Sequence, residues 1–530
     1  MKKRTPIIAI LNMDITERDG CINAVGRCVM RLNGSSKHMD TNDIRIDVPL
    51  RENIGTIEFG SRYGKKLPAG FSYNTFSMSI NIEDAKNLDI QNKIIPVYKG
   101  EYRGRFLYDF RDWKVGRNKS SKVFISDGIS LYLRQTIFNT LTLTVRETNK
   151  YDTEEGQRRI AAAHKRAKSM KDQDIILMYE KNCMRYEESA SVLYEKLIDA
   201  GYNNVYYIVD TSIPAVKRLD EKYKKNLIEK DSDKHLEYFF ACKRFVASET
   251  IDHALQLRIA NKEVLDKING KGISYVFLQH GVMYMVSLNS KLRTGFKKKR
   301  NYKLHRTVVS SEAEAQHFID MGGMKRDDLY ITGLAKYDTS YKHDDADKII
   351  IMPTWRRWES NQAKEDVEQT GYFKMLERMY AAVPDEIKEK VIILPHPLIA
   401  ELFKNEHTLG NHFLMAESYD EVFRDCKLLI TDYSSIAYDA FYRGANVVFD
   451  WMDLDECMEH YGEETHLMLN DDNVFGAACR TPDELAKAIQ DAYNREQSKE
   501  DIERYRQIVE FHDGKNSERI IECLKKDGVI

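Results

Sequence analysis

The sequence lacks several features that define whole classes of protein. Its 530 residues include 10 prolines, roughly half of average usage or less, so long proline-rich linkers are not expected. The eight cysteines are scattered without a Cys-x-x-Cys pair, which argues against a zinc ribbon or disulfide scaffold and favours reduced thiols. No apolar run approaches the roughly 18 residues typical of a membrane-spanning helix. The apolar run Ile7–Leu11 is too short for a signal peptide, so we expect a cytoplasmic protein.

An excess of charge of one sign is also missing. The chain has 81 Lys and Arg residues against 83 Asp and Glu residues, which gives a formal net charge of −2. This balance excludes a protein that is basic throughout, although it says nothing about local patches. A hydrophobic fraction of 42% excludes wholesale disorder, and the length predicts two to four domains.

The first 150 residues are rich in short β-type runs that Gly, Asn and Asp turns separate. Residues 71–80 and 141–145 alternate between polar and apolar side chains, as half-buried strands do. Short strands at regular spacing predict an all-β N-terminal sandwich over residues 1–150. The charged, helix-prone residues 151–171 predict a helical connector.

From residue 172 onward, the pattern changes to strand, loop and helix, repeated. Alternating β and α elements predict parallel sheets. Because the pattern restarts after Lys303, it predicts two Rossmann-like domains that face each other, over residues 172–303 and 304–530. The final stretch, Lys499–Lys526, is predicted to be mostly charged helix.

Chemically versatile residues follow the predicted strands of both Rossmann-like domains. In open parallel sheets, ligands bind beyond the carboxyl ends of the strands. Five apolar runs are followed by such residues: Gln279-His280-Gly281, Thr332-Gly333-Leu-Ala-Lys336-Tyr-Asp338, Pro353-Thr-Trp-Arg356, Pro395-His396-Pro397 and Thr431-Asp432-Tyr-Ser434-Ser435. Together they suit a phosphate-bearing nucleotide and a proton transfer.

Each of these residues also has an ordinary structural explanation. Ser434 or Ser435 would begin a helix, where free N–H groups attract phosphate oxygens, but a simple N-cap explains them as well. Arg356 can bind phosphate with both arms of its guanidinium, or it can stack on a neighbouring tryptophan at the surface. His396 can be a loop histidine without a task. His280 can take a proton from an attacking hydroxyl, or it can be satisfied within a domain interface.

Other motifs point to structure or are missing. The run Ser311-Glu312-Ala313-Glu314 fits a capping box that opens a helix, and we assign it a structural role. No P-loop, Gly-x-Gly-x-x-Gly or His-Glu-x-x-His pattern is present, so no metal site and no tightly bound cofactor are expected. A Mg²⁺ ion that accompanies a pyrophosphate stays open.

The neutral net charge hides one basic stretch. Residues 281–306 contain no Asp or Glu and eight basic residues: Lys291, Arg293, Lys297, Lys298, Lys299, Arg300, Lys303 and Arg306. The plain interpretation is a solvated loop. Its place directly after His280 favours a surface for a polyanionic acceptor or for the anionic inner leaflet of a membrane. Nucleic acid is not expected, because no recognition motif accompanies the stretch.

Taken in order, these motifs resemble the CDP-glycerol glycerophosphotransferase family of teichoic-acid and capsule synthesis. The closing Asp513-Gly514-Lys-Asn-Ser517-Glu-Arg519 is similar to the C-terminal signature of that family. The resemblance covers about residues 172–524. It implies a GT-B fold, which is two Rossmann-like domains with a cleft between them. It also implies transfer of a polyol phosphate from a CDP-polyol to a hydroxyl, with release of CMP.

The resemblance assigns roles residue by residue. Its catalytic group comprises His280, as the base, and Asp432. Its donor-binding group comprises Lys336, Asp338, Arg356, His396, Ser434 and Ser435. It further implies a peripheral protein at the inner face of the bacterial membrane that acts on a lipid-linked acceptor.

The sequence departs from the family pattern at three places. The usual Gly-x-Pro-Arg-x-Asp appears as Gly333-Leu-Ala-Lys-Tyr-Asp338, and Val282-Met-Tyr stands where many members have Thr-Pro. The Tyr-x-Tyr-Asp-Leu-Glu segment appears as Phe449-Asp-Trp-Met-Asp-Leu-Asp-Glu456. The identity of the polyol, whether glycerol, ribitol or another, therefore stays open. The sequence also leaves open whether the protein forms a homo-oligomer. Two other functions also stay open: a GT-B glycosyltransferase that uses a nucleotide sugar, and a non-catalytic scaffolding protein that acts through its N-terminal β domain.

Overall fold

The structure is a computed structural model, and its contacts divide the chain into two units. It describes residues 5–530 except 50, 63–67, 89, 109–110, 113–116, 119–120, 136–139, 171–173, 256–257, 289–300, 397–408, 417 and 463–464. One unit comprises Met1–Met170 and Gln256–Gly270. The other comprises Lys171–Leu255 and Lys271–Ile530.

The first unit consists mainly of β-strands. They are β1 (Pro6–Arg18), β2 (Cys21–Leu32), β3 (Ile44–Val48), β4 (Arg51–Arg62), β5 (Phe71–Asn81), β6 (Gln91–Lys93), β7 (Ile95–Tyr98), β8 (Tyr102–Arg103), β9 (Arg105–Leu107), β10 (Arg111–Asp112), β11 (Arg117–Asn118), β12 (Phe124–Ser126), β13 (Ile129–Gln135) and β14 (Leu141–Glu147). Eight strands form one sheet, in the order β8-β7-β3-β4-β5-β2-β1-β9. Four form a second, in the order β12-β13-β14-β6, and β10 pairs with β11.

The two larger sheets share one hydrophobic core. Burial alternates along β5, as the period-two pattern predicted, and directs Phe76, Met78 and Ile80 inward. Leu131 of β13 and Leu143 of β14 belong to the same core. The N-terminal region is therefore a two-sheet β structure, mostly antiparallel, in which β1 and β9 pair in parallel.

Helices complete the first unit. They are α1 (Ile82–Ala85), α2 (Glu154–Ala167) and, from a later part of the chain, α7 (Lys262–Ile268). Thr153 caps α2, and the Asn261 amide, next to α7, donates to Gln157 Oε1 of α2 at 2.7 Å. The helix expected within residues 151–171 thus forms, and it belongs to the first unit together with residues 256–270.

The second unit contains two parallel sheets. The strands of the first are β15 (Ile176–Tyr179), β16 (Val205–Val209), β17 (Leu227–Glu229), β18 (Arg244–Ala247), β19 (Ser274–Phe277), β20 (Leu304–Val309) and β21 (Leu329–Ile331), in the order β17-β16-β15-β18-β19-β20-β21. The strands of the second are β22 (Lys348–Ile351), β23 (Val391–Ile393), β24 (Cys426–Thr431), β25 (Asn446–Asp450) and β26 (Ala477–Cys479), in the order β23-β22-β24-β25-β26.

The position of β20 and β21 differs from the expected division at residue 303. Both strands pair in parallel within the first sheet, whereas the sequence pattern assigned them to the second Rossmann-like domain. The strand–helix repeat runs across this point without a change in composition. Which sheet a strand joins depends on long-range pairing, which the local pattern does not contain.

Helices connect the strands of both sheets. They are α3 (Ser189–Asp199), α4 (Pro214–Lys217), α5 (Glu221–Lys224), α6 (Asp233–Ala241), α8 (Glu312–Gly322), α9 (Ser360–Glu365), α10 (Gly371–Ala381), α11 (Tyr419–Arg424), α12 (Ile436–Tyr442), α13 (Leu454–Tyr461), α14 (Pro482–Tyr493), α15 (Lys499–Arg506) and α16 (Asn516–Lys526). Met178 and Val246 of the first sheet share one hydrophobic core with Leu429 and Val447 of the second. The charged C-terminal stretch is mostly helical, as predicted, and forms the two helices α15 and α16.

The C-terminal helix α16 is fastened to the loop that follows β21. The Asp338 carboxylate accepts from the backbone N–H of Asn516 at 2.8 Å and of Ser517 at 2.7 Å, so it caps α16. The Asn516 amide donates to Leu334 O at 3.0 Å. Gly333 has φ +78°, and a Cβ there would stand 2.5 Å from Asn516 Oδ1, which explains the glycine. The motif at residues 333–338 and the C-terminal motif at residues 513–519 therefore contact each other, and together they form one structural joint.

We expect Asp338→Ala to lower the free energy of unfolding by about 1–2 kcal/mol, because two N–H groups at the start of α16 lose their acceptor. Urea denaturation measures this difference. Asp345→Ala, at an exposed carboxylate in the following loop, is the matched control. Equal stability of the two variants would contradict the joint.

Candidate active site

The loop after β19 carries His280 in a constrained backbone. Gln279 is fully buried and has φ +61°, a left-handed conformation that is uncommon for residues with a side chain. Its Nε2 donates to Val308 O at 2.5 Å and to Glu314 Oε1 at 3.2 Å. The buried side chain therefore anchors the turn that presents His280.

Glu314 is the main anchor of this loop. Its buried carboxylate accepts from Met283 N at 2.7 Å, Ser310 N at 2.6 Å and Ser310 Oγ at 2.7 Å. Burial raises the pKa of Glu314, and these bonds oppose the rise. Ser311 Oγ does accept from Glu314 N at 3.1 Å, as the capping box predicted. The carboxylate, however, serves the His280 loop, which sequence reasoning missed.

The chain beyond Gly281 is held by the second half of the unit. Ser287 N donates to His466 O at 2.9 Å, and Met468 N donates to Met285 O at 2.9 Å. These bonds form a short antiparallel bridge at Val286 and Leu467. The His280 loop is thus fixed at both ends.

His280 itself is accessible to solvent, but protein groups crowd it. This crowding lowers the pKa of His280 by removing hydration, and the charges of Lys181 and Lys336 lower it further. The carboxylates of Glu188 and Glu249 oppose the shift without reversing it. The imidazole is therefore neutral at neutral pH, the form that can accept a proton.

The structure brings the His280 loop to the start of α12. A Cβ built on Gly281 would lie 3.8 Å from Ser435 Oγ. Ser435 is exposed, and its side chain makes no capping bond within the helix. Ser434 precedes it and is half-buried. His280, the candidate base, follows β19 of the first sheet, and α12 follows β24 of the second sheet. The candidate base and the N-terminus of α12 therefore lie side by side.

Lys336 joins the same two elements. Its Nζ donates to His280 O at 3.0 Å and pairs with Asp439 Oδ1 of α12 at 2.7 Å. The ammonium group of Lys336 is thus bound by a backbone carbonyl of the His280 loop and by a carboxylate of α12. Asp338, also predicted for the donor, lies at the start of α16 instead.

Asp432 lies behind the site rather than in it. Its fully buried carboxylate accepts from Thr354 N at 3.0 Å and Thr354 Oγ1 at 2.9 Å. Burial raises the pKa of Asp432 to about 6, against these bonds. Asp432 therefore holds the Pro-Thr-Trp turn after β22 to the end of β24. These contacts indicate a supporting role, and the catalytic role that the resemblance implied stays a prediction.

The two neighbouring arginines after this turn differ in exposure. Arg356 is buried, pairs with Asp453 and lies 3.6 Å from Glu359 Oε1. Arg357 is exposed, and its charge together with burial lowers the pKa of His396 to about 4. Arg357 is thus the arginine whose charge reaches His396, while the donor-binding role expected of Arg356 stays a prediction. A strand-end pattern does not tell which of two adjacent side chains points inward.

Three further charged residues surround His280 and were missed from sequence. Lys181 follows β15, Glu188 precedes α3, and Glu249 follows β18. Lys181 Nζ pairs with Glu188 Oε1 at 2.9 Å. The signal was available, because Glu180-Lys181 comes one residue after the apolar run of residues 175–178, at the end of a strand.

Of the eight basic residues in the stretch of residues 281–306, the structure describes Lys303 and Arg306. Lys291, Arg293, Lys297, Lys298, Lys299 and Arg300 lie outside the described residues. Lys303 is exposed, and Arg306 pairs with Asp527 Oδ2 at 2.7 Å. Within the described part of the chain, no three His, Cys, Asp or Glu residues could together hold a metal ion. No helix among the described residues is long and apolar enough to cross a bilayer.

We expect the stability contribution of Asp432 to fall as the pH rises. Its pKa of about 6 exceeds the ordinary 3.8, so the native state binds more protons than the unfolded state between these values. The amide introduced by Asp432→Asn cannot ionise. From pH 4 to pH 7, wild type should therefore lose roughly 2–3 kcal/mol of unfolding free energy relative to Asp432→Asn. Urea denaturation at several pH values measures this, and a constant difference would show that the carboxyl pKa is not raised.

Comparison with known proteins supplies the family. The model described as CDP-Glycerol:Poly(glycerophosphate) glycerophosphotransferase matches residues 160–526, well over half of the chain. The Minor teichoic acid biosynthesis protein GgaB of Bacillus subtilis (strain 168) is 28% identical over 192 residues, which are 33% of this chain and 21% of GgaB. The match thus spans about a fifth of that relative.

Two solved structures are also similar. The Wall Teichoic Acid Polymerase TagF is 17% identical with a TM-score of 0.49, over 70% of this chain and 94% of that chain. A variant of TagF soaked with CDPG is 15% identical with a TM-score of 0.49, over 71% and 98%. The family match itself confirms the resemblance seen in the motifs. This chain belongs to the CDP-Glycerol:Poly(glycerophosphate) glycerophosphotransferase family.

Proposed function

We propose that the protein transfers glycerol phosphate or ribitol phosphate from a CDP-polyol to a hydroxyl of a lipid-linked or polymeric acceptor, with release of CMP. Family membership supports the donor class, and the likeness to GgaB supports a place in teichoic-acid synthesis. The observation that carries the proposal is the approach of Gly281 to Ser435. It puts a candidate base beside a helix N-terminus that suits phosphate.

The proposed reaction is a displacement at phosphorus. Neutral His280 takes the proton of the acceptor hydroxyl, whose oxygen attacks the β-phosphorus of the CDP-polyol. The bond between this phosphorus and the bridging oxygen breaks, and the oxygen leaves on CMP with the electron pair. The imidazolium then gives its proton to water.

Groups on the second sheet stabilise the negative charge that develops on the departing CMP. The N-terminus of α12 at Ser435 offers N–H groups and the positive end of the helix dipole. Arg357 contributes an exposed guanidinium near His396. His396, with its pKa lowered to about 4, acts as a neutral hydrogen-bonding group rather than as a cation.

The acceptor and its location form part of the same proposal. The basic stretch of residues 281–306 follows the proposed base directly in the sequence. Its charge suits a polyanionic acceptor or an anionic lipid surface. We therefore propose that the protein works peripherally at the inner face of the bacterial membrane.

The product identifies the reaction. We expect CMP release with CDP-glycerol or CDP-ribitol, and no nucleotide release with UDP- or GDP-sugars. His280→Ala should lower kcat/KM about 10²–10⁴-fold because it removes the base, while CDP-polyol affinity stays near wild type. His38→Ala, at an exposed histidine of the first unit, is the control. Release of UDP or GDP by wild type would establish a glycosyltransferase instead.

The adjacent arginines provide a second test. Arg357→Gln should weaken CDP-polyol binding about tenfold, since one charge-assisted contact with the donor is lost, and it should lower stability less than Arg356→Gln does. Arg356→Gln should lower stability by up to about 3–5 kcal/mol, because the carboxylate of Asp453, which is 12% exposed, loses its main cationic partner. Isothermal titration and urea denaturation measure the two effects. Weaker binding in Arg356→Gln together with a loss of stability in Arg357→Gln would contradict this assignment and favour Arg356 as the donor ligand.

A further inference from the structure

We propose that Lys181 is a further catalytic residue, whose ammonium group binds the non-bridging oxygens of the phosphate that is transferred. This inference rests on the proposed function and adds a residue that none of the five motifs contains. Lys181 follows β15 and His280 follows β19, and β18 separates these strands in the sheet. Because parallel strands end at the same edge, both loops lie beside the site.

The loop of Lys181 adopts an unusual backbone. Lys181, Asn182 and Cys183 have φ values of +44°, +53° and +60°, so three consecutive residues with side chains are left-handed. Such a conformation persists where surrounding contacts enforce it, and it is often found at functional sites. Here Asn182 N donates to Glu249 Oε2 at 2.6 Å, and Cys183 N donates to Glu180 O at 2.8 Å.

A buried carboxylate holds the partner of Lys181 in place. Glu180 is fully buried and accepts from Glu187 N at 2.5 Å, Glu188 N at 2.9 Å and Ser191 N at 3.1 Å. These bonds fix the segment that carries Glu188. The positions of Lys181 and Glu188 are therefore set by the same short stretch of chain.

The side chain of Lys181 is both held and accessible. Its Nζ lies 2.9 Å from Glu188 Oε1, and 39% of the side chain is exposed. An ammonium group has three N–H donors, so contact with one carboxylate oxygen leaves capacity for a ligand. Lys336 and Arg356, by contrast, are 12% and 5% exposed and paired with carboxylates. Lys181 is thus better placed than either to meet a substrate.

The charge of Lys181 reaches both histidines of the site. It lowers the pKa of His280, on the first sheet, and of His396, on the second. The transferred phosphate must lie between the base and the donor-binding groups, which is where this charge acts. Glu188 raises the pKa of Lys181, so the ammonium stays protonated throughout and takes part in no bond change. Its role is to neutralise charge on the phosphoryl oxygens.

Replacement by methionine tests the contact directly. Lys181→Met should weaken CDP-glycerol binding at least tenfold and leave CMP binding unchanged, because CMP lacks the β-phosphate. It should also lower kcat/KM about 10²–10³-fold, as loss of one donor to a developing charge does. Lys196→Met, at an exposed lysine of α3, should match wild type. Lys181→Arg should restore part of the loss.

The pH profile gives a readout that a structural role would not produce. Lys181→Met removes a positive charge near His280, so the acidic limb of kcat/KM should move to higher pH. Glu188→Gln removes a negative charge, so the limb should move to lower pH. These opposite shifts show that the charge pair acts on His280, and a loss of stability does not hide them, since they are measured on the folded, active fraction.

Two outcomes separate this inference from the proposed function. If wild type releases CMP and His280→Ala does not, unchanged CDP-glycerol affinity and rate in Lys181→Met would overturn the role of Lys181 alone. If wild type releases no CMP from any CDP-polyol, the proposed function fails. Selective loss of CDP-glycerol over CMP affinity in Lys181→Met would then still support the phosphate contact, and its absence would overturn it.

Discussion

The position of His280 depends on the buried carboxylate of Glu314. It accepts hydrogen bonds from Gln279, Met283 and Ser310, on either side of the exposed imidazole. Without this acceptor, several buried donors would be left unpaired, at about 1–3 kcal/mol each, and the left-handed turn at Gln279 would lose its restraint. The other site elements, including the start of α12, approach a loop that is already rigid.

Burial separates supporting residues from those that can meet a substrate. Arg356 and Asp432 are buried and paired within the protein, and they shape the loops after β22 and β24. His280 and Ser435 are exposed beside each other. A single motif can therefore contain one residue that acts and another that holds it. In the same way, Lys181 is accessible to a substrate, whereas the adjacent buried Glu180 holds the segment that carries Glu188, the partner of Lys181.

The sequence predicted the positions of the strands. It did not predict several contacts between segments that are distant in the chain. The apolar runs correspond to strands such as β16 and β24 because local burial produces their pattern. The sheet to which β20 belongs was assigned wrongly, since pairing between distant segments leaves no local mark. The burial of Arg356 and the exposure of Arg357 were not predictable for a related reason, because the direction of a side chain after a kink depends on its neighbours in space. Glu314 resembled an ordinary helix cap because its second partner is 31 residues away.

We propose that both sheets contribute to one transfer site around His280. A crystal structure of the His280→Ala protein with CDP-glycerol tests it most directly. The β-phosphate should lie beside residue 280, with one side toward Lys181 and the other toward the start of α12, and the cytidine should lie on the second sheet. A diphosphate bound away from the loop of residues 279–283 would contradict it.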